Sequence, residues 1–248
     1  MWIKLRTFLR ILSSERLKMS KSKVWLLILI SPVLSTLIGI LTDTSVGTEP
    51  WRIMLGTMVF LHAMLFLPIL AGLFPAFICR YEHTGGGWKQ LLVLPVSRGA
   101  VYLAKLTIII GLLTLCQLLF LAGLLASGWI QGFTGPIPWG LIVTSLIGGL
   151  IACLPLAALQ LGISLSWSSF AAPLAVNVSL TIPNILITNS KTIGPFYPWA
   201  QPVLAMMPTG EAGFGAFNLP IQSLMITILG SFLLFFMAGF IHFRRKEI

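Results

Sequence analysis

The ionisable side chains that lie between hydrophobic runs are concentrated in one stretch, Arg80 to Lys105, RYEHTGGGWKQLLVLPVSRGAVYLAK. It holds one carboxylate, Glu82, and the cations Arg80, Lys89, Arg98 and Lys105, a set suited to ion pairing rather than to catalysis. Elsewhere the chain has no GxxxxGK[ST] phosphate cradle, no HExxH and no GxSxG, and His62, His83 and His242 are scattered. Gly85-Gly86-Gly87 lacks the Lys-Ser/Thr that phosphate binding requires, so those glycines supply backbone freedom. Cys79, Cys116 and Cys153 fall inside or at the ends of apolar runs, with no CxxC and no His or Asp nearby to complete a metal set, and read as buried apolar residues. No catalytic, cofactor-binding or metal-binding residue is expected.

Ion-driven transport needs carboxylates or histidines facing a cavity. From Leu106 to Ser190 there is no Asp, Glu, Lys, Arg or His, and His62 alone lies well inside an apolar run, where a hydrogen-bonded packing role is expected. The energy source is therefore expected outside this chain.

Glu82 is the telling acid. It follows the end of an apolar helix, where the macrodipole is negative and an acid is unfavourable by ~0.3 to 1 kcal/mol, so a cation should hold it unless it is a solvated surface charge. Arg80, Arg98, Lys105 or a basic group on a partner can do so; Arg98 is the preferred choice, because Pro95 turns the chain back toward the membrane. After the glycines, Trp88 to Leu94 suits about two helical turns, Pro95 ends them, and Ser97 can cap the next helix near Arg98. Trp88, Leu91 and Leu92 share one face at i, i+3 and i+4, with Lys89 off it. This apolar edge has no evident partner within its own loop.

The elements that must position this stretch follow from composition. The chain has 248 residues, 57% hydrophobic and 9% charged, with a mean hydropathy of +0.97. That excludes a soluble domain, whose charged fraction is about a quarter, and makes the fold class an all-α polytopic membrane protein. Six apolar stretches read as spans: Val24 to Leu41, Ile53 to Cys79, Leu106 to Ile130, Trp139 to Leu165, Ala171 to Ile187 and Leu219 to Phe243. The first is longer than a signal-peptide core and is expected to remain as a span. With both termini placed in the cytoplasm, 14 of the 16 Lys and Arg fall on the inner side and only Arg52 and Lys191 outside, so the net charge of +10 is read as topology, not as nucleic-acid binding. Residues 1–248 form one transmembrane domain.

Residues 1–23 read as a basic amphipathic helix suited to the headgroup region of an anionic inner leaflet, with Trp2, Arg6, Arg10, Lys18, Lys21 and Lys23 as its membrane-surface residues. Pro68, Pro75, Pro155, Pro173 and Pro183 lie inside spans and predict broken or kinked helices in the middle of the bundle. Residues 188–218 are rich in Pro, Gly and aromatics, including Phe196, Tyr197, Trp199, Phe214 and Phe217, and are expected to dip back into the outer leaflet. No internal repeat is present.

The order and intervals of Glu82, Gly86, Leu91, Pro95, Ser97, Arg98 and Lys105 resemble the segment between the second and third membrane helices of ABC-2 type permease subunits of ATP-binding-cassette transporters. The chain departs from that pattern at Gly87, where a threonine is expected. The resemblance covers this loop in detail and the chain in size and helix order, and residues 188–218 are similar to the re-entrant helices of such permeases. It implies a coupling helix within residues 80–105, with Glu82, Gly86, Trp88, Leu91, Leu92, Pro95 and Arg98 coupling to a separate cytoplasmic ATPase that would carry the ATP and magnesium. It further implies a second permease chain, identical or not, and a bacterial cytoplasmic membrane. A compact chain without a large outer domain looks most like the lantibiotic-immunity and bacitracin-resistance group, which expels membrane-active antimicrobial peptides. An ion-coupled drug carrier and a non-transport scaffold or sensor are the alternatives.

Overall fold

A long apolar run in lipid can satisfy its backbone N–H and C=O groups only within itself, so each such run here should be helical. The computed structural model describes residues 2–20, 24–45, 48–84, 87–93, 96–208, 217 and 220–246, without the side chains of 2–5, 20, 89, 91 and 92. Helix makes up 83% of it, and no strand occurs among the described residues. The elements are α1 (Trp2–Ser20), α2 (Val24–Leu41), α3 (Pro50–Leu61), a π-helical turn (His62–Phe66), α4 (Leu67–His83), α5 (Gly87–Val93), α6 (Arg98–Ile130), α7 (Trp139–Ser166), α8 (Ala171–Thr181), α9 (Asn184–Ile187), a 3₁₀ turn (Gly194–Phe196), α10 (Gln201–Met206) and α11 (Ile221–Arg245).

Among the described residues five helices are long and apolar enough to cross a membrane: α2, the continuous run Pro50–His83, α6, α7 and α11. The stretch Ala171–Ile187, read above as a sixth span, is two shorter helices, because Pro183 cannot continue the ladder of α8 and instead precedes α9. Elsewhere the prolines are absorbed. Helices α4 and α7 run on through Pro75 and Pro155, and Pro32 lies inside α2. The carbonyl of Ile28, four residues before Pro32, takes the Cys116 thiol at 3.9 Å. That of Met64, four before Pro68, takes the Asn184 amide at 3.0 Å. Asn177 donates to the carbonyls of Pro68 and Ile69 at 3.0 and 3.2 Å and accepts from the Trp199 indole at 2.8 Å. Cys116 and Asn184 thus stand in for the donors that Pro32 and Pro68 lack, while Asn177 adds a donor at two carbonyls of the first turn of α4.

Close helix approach rests on small residues, as expected where lipid supplies no hydrophobic drive between helices. Gly123 faces Thr36 of α2, Gly128 faces Trp51 of α3, and Gly148 and Gly149 of α7 face Ala205 and Met206 of α10. Helix α10 therefore lies against α7 well inside its length. Gly162 of α7 and Gly239 of α11 meet backbone to backbone. At one end of α6 the Gln131 amide donates to the carbonyls of Gly39, Ile40 and Thr42, closing the end of α2. At the opposite end of the bundle α1, α5 and the last turn of α11 gather around the charged loop.

Candidate functional site

The functional side chains meet where α1, α4, α5, α6 and α11 converge. Ser97 caps α6, its hydroxyl accepting from the Ala100 N–H at 3.2 Å, and this fixes Lys105 two turns into the helix. Lys105 is fully buried, and its ammonium lies 2.9 Å from Glu15 Oε2 and 2.9 Å from Glu82 Oε2. The first contact is a hydrogen bond; the second is an ion pair too bent to count as one. Lys18 completes the circuit at 2.6 Å from Glu15 Oε1 and 2.5 Å from Glu82 Oε1. Two carboxylates and two ammoniums alternate in a closed ring, formally neutral, that joins α1, α4 and α6.

The energetics explain the alternation. A lone ammonium withdrawn from water costs several kcal/mol, and a lone carboxylate likewise, so each is tolerable only with its partners in place. Burial alone would raise the Glu15 carboxyl, but the Lys105 and Lys18 ammoniums outweigh it and hold this group below its ordinary value of 4.5.

Glu82 pairs with Lys18 and Lys105, not with Arg98 as expected from the sequence. Arg98 lies away from Glu82 and donates to the carbonyls of Arg244 and Lys246, capping the end of α11. Lys246 donates to the carbonyls of Leu165 and Ser166 at 2.9 and 3.2 Å, capping the end of α7. Glu82 is buried, so it is not a solvated surface charge.

Trp88 also finds its partners inside the chain. It is 7% exposed, its ring lies 5.4 Å from that of Phe243 of α11, and the Lys105 ammonium sits 5.9 Å from the ring centroid. Its indole N–H donates to His83 Nδ1 at 3.2 Å, while His83 Nε2 lies 2.8 Å from the Ser164 carbonyl of α7. Because Nδ1 accepts, Nε2 carries the proton and donates to that carbonyl. The short helix α5 is thus keyed to α4, α6, α7 and α11 together. Gly87 begins it, and a Cβ there would come within 2.8 Å of Glu82 Cα and of the Tyr81 carbonyl. The threonine that the resemblance leads one to expect has no room at this position.

Of the site residues named from the sequence, Glu82, Trp88 and Arg98 lie at this junction, the first two in its core. Gly86, Pro95, Lys21 and Lys23 lie outside the described residues, as do the side chains of Trp2, Leu91 and Leu92. Arg6 and Arg10 are exposed on α1, and Lys18 turns inward to the ring. Glu15 was missed, although one signal marked it: it is the sole acid among the seven cations before Val24. Phe243 and Lys246 carried no readable signal, because their partners are distant in sequence.

A separate polar chain crosses the bundle interior. Ser31 and Gln117 flank the His62 ring at 2.6 and 3.2 Å, Phe120 stacks on it at 4.3 Å, and Gln117 reaches the Leu146 carbonyl and Met206 sulfur. His62 is a hydrogen-bonded packing residue. The three cysteines are buried free thiols, and no grouping of His, Cys, Asp or Glu suited to a metal occurs among the described residues.

No curated protein matches the chain. A family model described as ABC-2 family transporter protein matches residues 11–184, which take in the ring, α5 and the spans as far as Asn184. That stretch is more than half of the sequence, and the chain belongs to the ABC-2 family of transporter proteins.

Proposed function

We propose that this protein is the export permease of an ATP-driven transporter that removes a membrane-active antimicrobial peptide from the bilayer. Membership of the family makes it the membrane-spanning component, with hydrolysis on separate ATPase subunits. One observation carries the coupling role: α5 is tied through Trp88, His83 and the ring to α1, α4, α6, α7 and α11 at once, so a force on it reaches most of the bundle. In this reading the ATPase docks on the outward side of α5, where Gln90 and Val93 are exposed, while Trp88 positions the helix from within. The proposed coupling segment also takes in Gly86, Leu91, Leu92 and Pro95 of the same loop. Both termini and α5 face the cytoplasm, residues 188–208 dip into the outer leaflet, and two permease chains pair. The basic helix α1 lies on the anionic inner surface through Arg6 and Arg10, and the sequence adds Trp2, Lys21 and Lys23 to the proposed membrane-surface set. The peptide cargo rests on the resemblance to the immunity group and on the absence of a large outer domain.

The test uses cells that express the permease with its ATPase and are challenged with a lantibiotic and with bacitracin. Glu82→Gln is expected to copurify with the ATPase normally while peptide protection falls at least tenfold. Wild-type protection by Glu82→Gln would remove Glu82 from the coupling path, and no protection by the wild-type pair against either peptide would sink the proposed cargo.

A further inference from the structure

The ring is closed on three sides and open on one. Glu15, Glu82 and Lys105 are between 0 and 3% exposed, whereas Lys18 is 26% exposed. Its place on α1 explains the difference. Arg6, Leu9, Arg10, Ser13, Arg16 and Leu17 fall at helical spacing on one exposed face, with Leu9 and Leu17 at 53% and 61% exposure. Ile11, Glu15 and Met19 form the opposite, buried face. Lys18 stands at the seam between them, one residue from the outer face and within reach of both ring carboxylates. The outer face carries three arginines, two large apolar side chains and no acid, the pattern of a helix lying on an anionic bilayer.

We propose that Lys18 is an exchange point between the ring and anionic phospholipid headgroups, so that bilayer charge sets how firmly α1 is tied to the coupling loop. The inference rests on the reading of α1 as a surface helix. A headgroup phosphate presents the same kind of acceptor as Glu82, at the depth where the flanking arginines hold the helix. Exchange costs the ring less than loss of Lys105 would, because Lys105 keeps its contacts to both carboxylates when Lys18, the partly exposed member, leaves. Lys105 itself, fully buried, is out of reach. In a zwitterionic bilayer Lys18 stays on Glu15 and Glu82 and α1 is locked to α4; in an anionic one the link opens part of the time.

The purified full chain in nanodiscs of phosphatidylcholine, with and without phosphatidylglycerol, tests this by amide hydrogen exchange of α1. A second measurement, quenching of a dye at Ser13→Cys by headgroup spin labels, reports whether α1 lies on the bilayer. The dye is expected to be quenched, and phosphatidylglycerol is expected to speed exchange about two- to fivefold, the range for loss of one partly exposed ion pair. Lys18→Gln in phosphatidylcholine should exchange like the wild type in the anionic disc and respond no further, and Lys18→Arg should keep the response. Quenching with no lipid effect on exchange overturns the exchange point and leaves the surface helix standing. An absence of quenching removes the surface helix and the proposal with it. A response retained in Lys18→Gln assigns the effect to other cations, and the same acceleration by inorganic phosphate in phosphatidylcholine discs assigns it to a free anion; either overturns the proposal.

Discussion

The Asn184 amide sits 3.0 Å from the Met64 carbonyl and 2.8 Å from that of Trp199, so one side chain ties the π-helical turn to the segment ahead of α10. Met64 is the acceptor that an α-helix would pair with residue 68, and proline has no N–H to offer. Asn184→Leu removes both donors at nearly constant volume. The expected loss is about 1 to 3 kcal/mol for each carbonyl left unsatisfied, read as a lower unfolding temperature of the purified protein in detergent. An unchanged midpoint would mean that water serves these carbonyls instead.

Lys105→Met leaves two buried carboxylates with Lys18 as their one cation in the ring. Breaking a buried pair in this way costs about 3 to 5 kcal/mol, so yield and monodispersity should both drop. Adding Glu15→Gln and Glu82→Gln to Lys105→Met should recover much of the loss, since the ring then holds no unpaired acid. If the triple variant is no better than the single one, the interaction is not electrostatic.

Gly87→Thr tests the tight start of α5. With 2.8 Å between a Cβ and the Glu82 backbone, the helix must shift and withdraw Trp88 from Phe243 and His83. Fluorotryptophan labelling should move the Trp88 resonance toward its solvent-exposed position, with faster proteolysis between Thr84 and Ser97. A resonance at the wild-type position would show that the threonine fits.

Acid should loosen α1. The folded Glu15 carboxyl titrates below its ordinary value of 4.5, so its contribution is complete above that value and is lost as pH falls through the lower folded value. Hydrogen exchange of α1 is expected to accelerate below about pH 4.5, and Glu15→Gln should flatten that part of the profile. A profile in the variant identical to that of the wild type would exclude Glu15 as the titrating group.

Five of the six stretches read as spans, and the charged loop, were legible in the sequence because both are local signals: runs of apolar residues, and glycines and a proline bracketing a short helix. Ser97 as the cap of α6 followed from the same local rules. The partners were not legible. Glu82 is drawn to Lys105 and Lys18, not Arg98, because the third dimension brings α1 beside α6, and nothing between residues 18 and 82 announces that approach. Trp88 reads as an outward anchor on its own helix, and only the position of Phe243 at the far end of the chain turns it inward. Pro183 was visible, yet its effect differs from that of Pro155 because α7 is packed on several sides while α8 is shorter and more exposed.

Helices α7 and α11 touch through Gly162 and Gly239, backbone against backbone, with neither residue carrying a side chain into the contact. Such a contact resists separation but offers little obstacle to translation along the helix axes, the geometry of shear rather than of hinge motion. Axial registration of the pair then falls to its end, where Lys246 grips the last carbonyls of α7 and Phe243 bears on Trp88. A push on α5 arrives where the sliding pair is held in step.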